Sequence, residues 1–285
     1  MPMTDEHTFQ QEPLNIMEGY GFTANRNLRP TPTTRLLIGT PTRGTIRMEW
    51  ALARFGLVIP CNWAHGQSVP FISSNMPIGY STADAQNIIV KDLVEQEYEW
   101  LLLIEDDTCP PPDALQTVNE RMRKGTVPVV SGLYYQKGMP PEPLIYRGSG
   151  TSYYDDFVLG DHVWCDGIPT GFFLCHSKVL RIMWDESPEY MAGNVKTRRV
   201  FEQPSRVWFD EEAGAMRGES GTSDLAWCKR VRDEDVLRRA GWPKIAKRKY
   251  PFLVDTNILC RHISPDGTMY PPQDHLPNAR RKPSR

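Results

Sequence analysis

The stretch WLLLIEDDTCPPP, residues 100–112, limits the fold more than any other part of the chain. Its first five residues are apolar without alternation, the pattern of a strand covered on both faces. Such a strand belongs to a largely parallel sheet with helices packed on either side. Before it, Ala85, Ile88, Ile89, Leu93 and Val94 recur at helical spacing behind Ser81 or Thr82 as a cap, which predicts a helix to about Glu97. After it, residues 113–124 read as a helix opened by prolines and stopped by Gly125. Strands are expected at 35–40 and 127–135, with a helix between Ile46 and Phe55. The alternation predicts an α/β domain with a mixed, mostly parallel sheet.

The second half is less regular. Residues 138–156 read as loops rich in Pro, Gly and Tyr. Short strands are expected at 163–168 and 207–210, and a weak one around 61–67. Residues 167–183 read as a loop and strand leading into a helix capped by Ser177. Residues 223–240 read as one helix capped by Ser223, and 252–260 as a last strand. This divides the chain into a polar arm (1–33), one folded domain (34–265) and a polar tail (266–285).

Charge and cysteine usage narrow the function classes. A net charge of −2 argues against a broad basic nucleic-acid face and leaves room for a local basic groove. No apolar run approaches the ~20 residues of a membrane span, and the first residues lack the basic start and apolar core of a signal peptide. Six scattered cysteines without a CxxC pair argue against a zinc ribbon or a dense disulfide framework. Reduced thiols in a cytoplasmic protein are the expectation. The basic end (Arg280, Arg281, Lys282, Arg285) reads as a solvated terminus.

The acids that end the central strand carry the chemistry. Strand alternation puts Glu105 and Asp107 on one face, with Asp106 turned away, at the carboxyl end where ligands bind in open α/β sheets. Two carboxylates about 4 Å apart repel by roughly 1 kcal/mol in water and about 4 kcal/mol at an effective dielectric of 20. They need a cation, a shared proton or open solvent, and Mg²⁺ or Mn²⁺ suits carboxylate oxygen. The competing reading has the acids stabilising the amino end of the next helix. His262 follows a later strand end, as a metal ligand or an ordinary hydrogen-bonded residue. Asp224, in the first turn of a helix, reads as a capping acid or a general base. Thr170 and Gly171 interrupt an apolar stretch, as a ligand approach or a plain turn. Trp63, Trp164, Trp208, Tyr134 and Tyr135 offer sugar-stacking faces, with core packing as the competing role. Trp208, beside Asp210, is the acceptor-side candidate.

Four segments, in order, resemble the GT-A glycosyltransferases, nucleotide-sugar-dependent enzymes with a single α/β domain. They are LIGTPTRG; TADAQNIIVKDL leading into EYEWLLLIEDD; DGIPTGFFLCHSKVL; and SDLAWCKRVRDEDVLRRAGWPKI followed by VDTNILCRHI. The resemblance spans residues 35–263. It implies a GT-A-like, Rossmann-type sheet and a DxD-type motif in which Asp107 binds Mn²⁺ or Mg²⁺ directly. Glu105 or Asp106 would lie near the ribose or a metal-bound water, and His262 would be the late ligand. It places Thr40, Pro41, Arg43, Asp106, Thr170 and Gly171 against the nucleotide sugar, and makes Asp224 the base for the acceptor hydroxyl. Departures are Glu105 for the usual Asp, Ser223-Asp224 for a Glu-Asp pair, and Gln86 for an Arg. The implied function is transfer of a sugar from a nucleotide diphosphate sugar, with inversion. The rival classes are a metal-dependent nucleotidyltransferase or phosphohydrolase, which also holds a metal on strand-end acids, and a non-catalytic nucleotide-sugar-binding protein.

Overall fold

The computed structural model describes residues 36–58, 61–62, 67–68, 72–148 and 153–277. The expected arm (1–33), Trp63 and the basic end lie outside the described residues. All the described residues belong to one compact unit.

The elements that build the site run in chain order as β1 (Leu36–Gly39), α1 (Met48–Phe55), β2 (Ile72–Asn75), α2 (Thr82–Glu95), β3 (Trp100–Ile104), α3 (Ala114–Lys124), β4 (Val129–Leu133), β5 (His162–Cys165), β6 (Phe172–His176), α4 (Ser177–Glu186), α5 (Ser223–Asp233) and β7 (Phe252–Leu259). Seven strands form one sheet in the order β2-β1-β3-β6-β4-β7-β5. Strands β2, β1 and β3 pair in parallel, as do β4 and β7. Strand β6 runs antiparallel between β3 and β4, and β5 is an antiparallel edge on β7. The sheet is therefore mixed, with five strands in one direction and two against it.

Alternation along the strands builds two cores. Leu37, Leu101, Leu103, Phe173 and Cys175 face a layer that includes α2, α4 and α5. Leu36, Ile38, Trp100, Leu102, Ile104, Phe172 and Leu174 face α3. Every residue of β3 is fully buried, so each large apolar side chain there contributes about 1.5–3 kcal/mol. The uninterrupted apolar run is the sequence signature of that double coverage.

Several expectations change. The long helix expected at 223–240 stops at Asp233, and a short helix, Val236–Arg239, follows Asp235, which adopts φ +52°. Asp233, Glu234 and Asp235 put three negative charges at the negative end of the helix dipole, which opposes continuation. The amino-cap position of α5 is Thr222 rather than Ser223, because the Ser223 hydroxyl is used elsewhere. The residue before α4, His176, accepts the Lys178 amide on Nδ1, so it rather than Ser177 caps that helix. The strand expected at 207–210 is one arm of a hairpin, Ser205–Asp210 on Ala215–Ser220. Part of the expected tail is folded: Met269–Tyr270 pairs with Arg261–Ile263, which pairs in turn with Thr108–Cys109. That small sheet brings His262 opposite Thr108, one residue beyond Asp107.

His176 sits between Trp100 and Trp242, ring centroids 4.7 and 4.9 Å away. Burial lowers its pKa to about 4, below the ~6.5 of an unfolded histidine. The unfolded chain therefore takes up the proton first. The stability His176 contributes is intact above about pH 6.5 and declines as pH falls toward 4. His176→Asn, which keeps a capping acceptor, is expected to flatten the fall in melting temperature between pH 6.5 and 4.5 in a thermal-melt series. An unchanged slope contradicts this.

Candidate active site

The polypeptide leaves β3 at Ile104 and turns at once: the Thr108 amide donates to the Glu105 carbonyl (3.1 Å). The fully buried Trp50 of α1 donates its indole N–H to the same carbonyl (2.7 Å). The Glu105 amide donates to the Gly171 carbonyl (3.0 Å), and the Ile263 amide to that of Asp107 (2.7 Å). The acidic turn is thus fixed to α1, to the segment before β6 and to the small sheet carrying His262. Next to it lies a cavity of about 580 Å³, whose wall includes Pro41, Arg43, Arg47, Glu105, Asp107 and Lys137.

The three acids have three different environments. Asp106 accepts the Arg43 backbone amide (3.3 Å) and also lines the cavity. Asp107 Oδ2 accepts from Lys137 Nζ at 2.6 Å and lies 3.2 Å from His262 Nε2. Burial pushes the Asp107 carboxyl up, but the hydrogen bonds and charges of His262 and Lys137 outweigh it and hold the pKa near 2. Glu105 is pushed up to about 8 by burial and then by the Asp107 charge, against a lowering bond from Thr170. At neutral pH Glu105 therefore carries a proton and Asp107 does not.

His262 is oriented from behind. Its Nδ1 lies 2.8 Å from the Tyr135 carbonyl oxygen, which only accepts, so Nδ1 carries the hydrogen. Nε2 faces Asp107 Oδ2 at 3.2 Å: with a proton it donates to the carboxylate, and without one it offers a lone pair to a cation. Two acceptors 3.2 Å apart need a proton or a cation between them. Asp107 Oδ1 is buried without a hydrogen-bond partner among the described residues. An unpaired buried carboxylate oxygen is costly, so Asp107 has capacity left for a cation. The residues present fit a divalent metal held by Asp107 and His262. Among the described residues no group of three or more His, Cys, Asp or Glu side chains is gathered for a metal. Glu105, expected to complete the set, turns instead to Thr170.

That turn belongs to a buried chain of hydrogen bonds which the sequence did not reveal. Ser223 Oγ donates to Gln86 Oε1 (3.0 Å), Gln86 Nε2 to Thr170 Oγ1 (2.9 Å), and Thr170 Oγ1 to Glu105 Oε1 (2.8 Å). It ties α5, α2, the segment before β6 and the acidic turn together. Asp224, next to Ser223, has its pKa raised by burial, against lowering bonds from Thr222 and the Leu225 amide. Its negative charge is felt at Glu105. Gln86 was noticed only as the replacement of an arginine; its total burial is what marks it as a structural amide.

The other expected contacts divide. Pro41 and Arg43 line the cavity, whereas Thr40 and Thr170 are buried outside its lining. At Gly171 no side chain fits: a Cβ there would lie 2.4 Å from the Tyr134 hydroxyl, which accepts the Gly171 amide at 2.6 Å. Packing against Tyr134 is enough to require glycine there, and Gly171 is not in the cavity lining. Trp208 lies on the outer hairpin with Val207, Phe209 and Met216, all exposed, and is not in the cavity wall.

No protein-family model matches the chain, and no curated protein matches it. Among solved structures, the crystal structure of A197 from STIV is similar at 15% identity, with a TM-score of 0.48, covering 88% of this chain and 97% of that one. A likeness of that degree bears on neither family nor activity. Among the described residues no helix is long and apolar enough to cross a membrane.

The unfolded Glu105 ionises near pH 4.3, the folded one near 8. Its contribution to stability is therefore complete below about pH 4.3 and lost as pH rises toward 8. In metal-free buffer Glu105→Gln, which keeps an acceptor for Thr170, should melt higher than wild type at pH 8, with the gap closing toward pH 5. A variant that melts lower at pH 8 contradicts a protonated Glu105.

Proposed function

We propose that this chain is a metal-dependent glycosyltransferase on a GT-A-like scaffold, moving a sugar from a nucleotide diphosphate sugar to an acceptor hydroxyl with inversion. The observation that carries the reading is His262 Nε2 3.2 Å from Asp107 Oδ2, with Asp107 Oδ1 left without a partner among the described residues, beside a cavity with cationic side chains in its wall. Asp107 and His262 would hold Mn²⁺ or Mg²⁺. When bound, such an ion supplies Lewis-acid neutralisation of the leaving diphosphate. Arg43 and Lys137 line the same cavity and add fixed positive charge for the phosphates. Lys137 now pairs with Asp107 and can exchange that partner for a phosphate oxygen.

Asp224 is the base. Its raised pKa brings proton affinity closer to neutrality, where general-base catalysis is most effective. It takes the proton of the acceptor hydroxyl as that oxygen bonds to the anomeric carbon and the carbon–phosphate oxygen bond breaks, releasing the nucleoside diphosphate. Positive charge on the sugar develops near the ionised Asp107. Glu105, neutral at pH 7, supports the turn instead of adding a further charge.

A melting series with nucleotide diphosphate sugars, with and without Mn²⁺, tests this. A ligand at one hundred times its Kd adds about 2.7 kcal/mol, so a metal-dependent rise with one sugar nucleotide is expected, and Asp107→Asn should abolish it. Asp224→Asn should retain the rise and lose turnover by at least ~10²-fold. A response to nucleoside triphosphates alone would move the protein to the phosphotransfer class. Full turnover in Asp224→Asn would remove Asp224 as the base.

A further inference from the structure

A second cluster of charge lies at the opposite part of the sheet. Edge strand β5 is four strands from β3, about 19 Å at the usual strand spacing of ~4.8 Å. There the sequence KIAKRKY, residues 244–250, carries Lys244, Lys247, Arg248 and Lys249, all exposed. None of these four cations makes an ion pair with an acid among the described residues. Three of the acids close to the strip are already matched. Asp233 pairs with Lys229, Asp235 with Arg238, and Asp166 with Arg232 at 3.5 Å.

Aromatic rings hold this positive charge in place. The Arg248 guanidinium lies 3.7 Å from the centroid of Trp164, on β5. Arg147 lies 3.7 Å from the Tyr154 centroid and 4.9 Å from that of Tyr250, and donates twice to the Trp164 carbonyl (3.0 and 2.7 Å). The Lys249 ammonium is 5.2 Å from the Tyr250 centroid. Arg248, Lys249 and Arg232 also line a groove of about 220 Å³, together with Asp233 and Asp235, whose charges Lys229 and Arg238 offset. Much of the cost of ordering these long side chains is therefore met before any partner arrives. Guanidinium groups so fixed match the oxygens of a phosphodiester.

We propose that this strip binds the phosphodiester backbone of a nucleic acid. With the Trp164, Tyr154 and Tyr250 rings already engaged by cations, it reads phosphates and not stacked bases. No exposed large hydrophobic side chain of the described residues lies in 229–251 or 153–166, so the strip has no apolar anchor for a lipid surface. The inference is independent of the reading of the acidic cavity.

Fluorescence anisotropy of a labelled 20-nucleotide strand and its duplex, from 50 to 200 mM NaCl, tests it, with anionic phosphatidylserine vesicles as a parallel arm. Four phosphate contacts predict a log–log salt slope of about −2.8 for the single strand and about −3.6 for the duplex. The triple variant Lys247→Gln, Arg248→Gln, Lys249→Gln should bind at least tenfold more weakly and with a shallower slope. The pair Lys91→Gln and Lys196→Gln, on other elements and matched by Glu95 (3.7 Å) and Glu189 (2.6 Å), should bind as wild type does. If the triple variant fails to fold, Lys247→Glu alone, at a side chain with no ring contact among the described residues, should still weaken binding. No saturable oligonucleotide binding at 50 mM salt, an equal loss in the control pair, or binding to vesicles alone would overturn the proposal.

Discussion

Negative charge crowded at the carboxyl end of a strand with no exposure on either face is the constraint around which this molecule is arranged. Strand β3 cannot be retracted into solvent, because every one of its residues is buried. Its last acids must be neutralised where they stand. The structure does so three ways: a proton on Glu105, a lysine and a histidine on Asp107, and a backbone amide on Asp106. The partners come from residues 43, 137, 170 and 262, which are far apart in sequence. The fold around β3 is needed to bring them together.

The supporting shell is rigid for identifiable reasons. Trp50 and Ile263 share a small apolar cluster with Cys109 and hold the acidic turn from one side. The chain of Ser223, Gln86, Thr170 and Glu105 holds it from the other, and each link is a good donor–acceptor distance. Buried polar chains of this kind position their members when every group is satisfied. Here the chain makes the start of α5, and hence Asp224, part of the same body as the acids. The Tyr134 hydroxyl, in contact with the Gly171 amide, closes the remaining gap. That contact leaves no space for any side chain at position 171.

Much of the sheet was legible because periodicity reports burial directly. The run from Trp100 to Ile104, the helical spacing of Ala85 to Leu93, and Gly125 at φ +58° after α3 all read correctly. Strand β2 was missed because ISSN carries almost no apolar signal; its pairing with β1 comes from the sheet. The polar arm Ala215–Ser220 was missed for the same reason. At the site, the nearness of Asp107 and His262 was an expectation from resemblance, and the three-stranded sheet explains it physically. Strict strand alternation failed past Ile104, since the chain turns there, and this is why Glu105 and Asp107 meet different partners. Gln86 and Tyr134 carried no local signal, because their roles exist only through contacts made across the fold.

The account depends on the gap between His262 Nε2 and Asp107 Oδ2 being a cation site and not merely a structural ion pair. Anomalous difference density from crystals soaked with Mn²⁺ and a nucleoside diphosphate measures this directly. The account predicts a manganese peak within bonding distance of both atoms, with Lys137 withdrawn from Asp107 toward the diphosphate. A crystal with the nucleotide bound, no peak at this position, and the Lys137–Asp107–His262 contacts intact would contradict it.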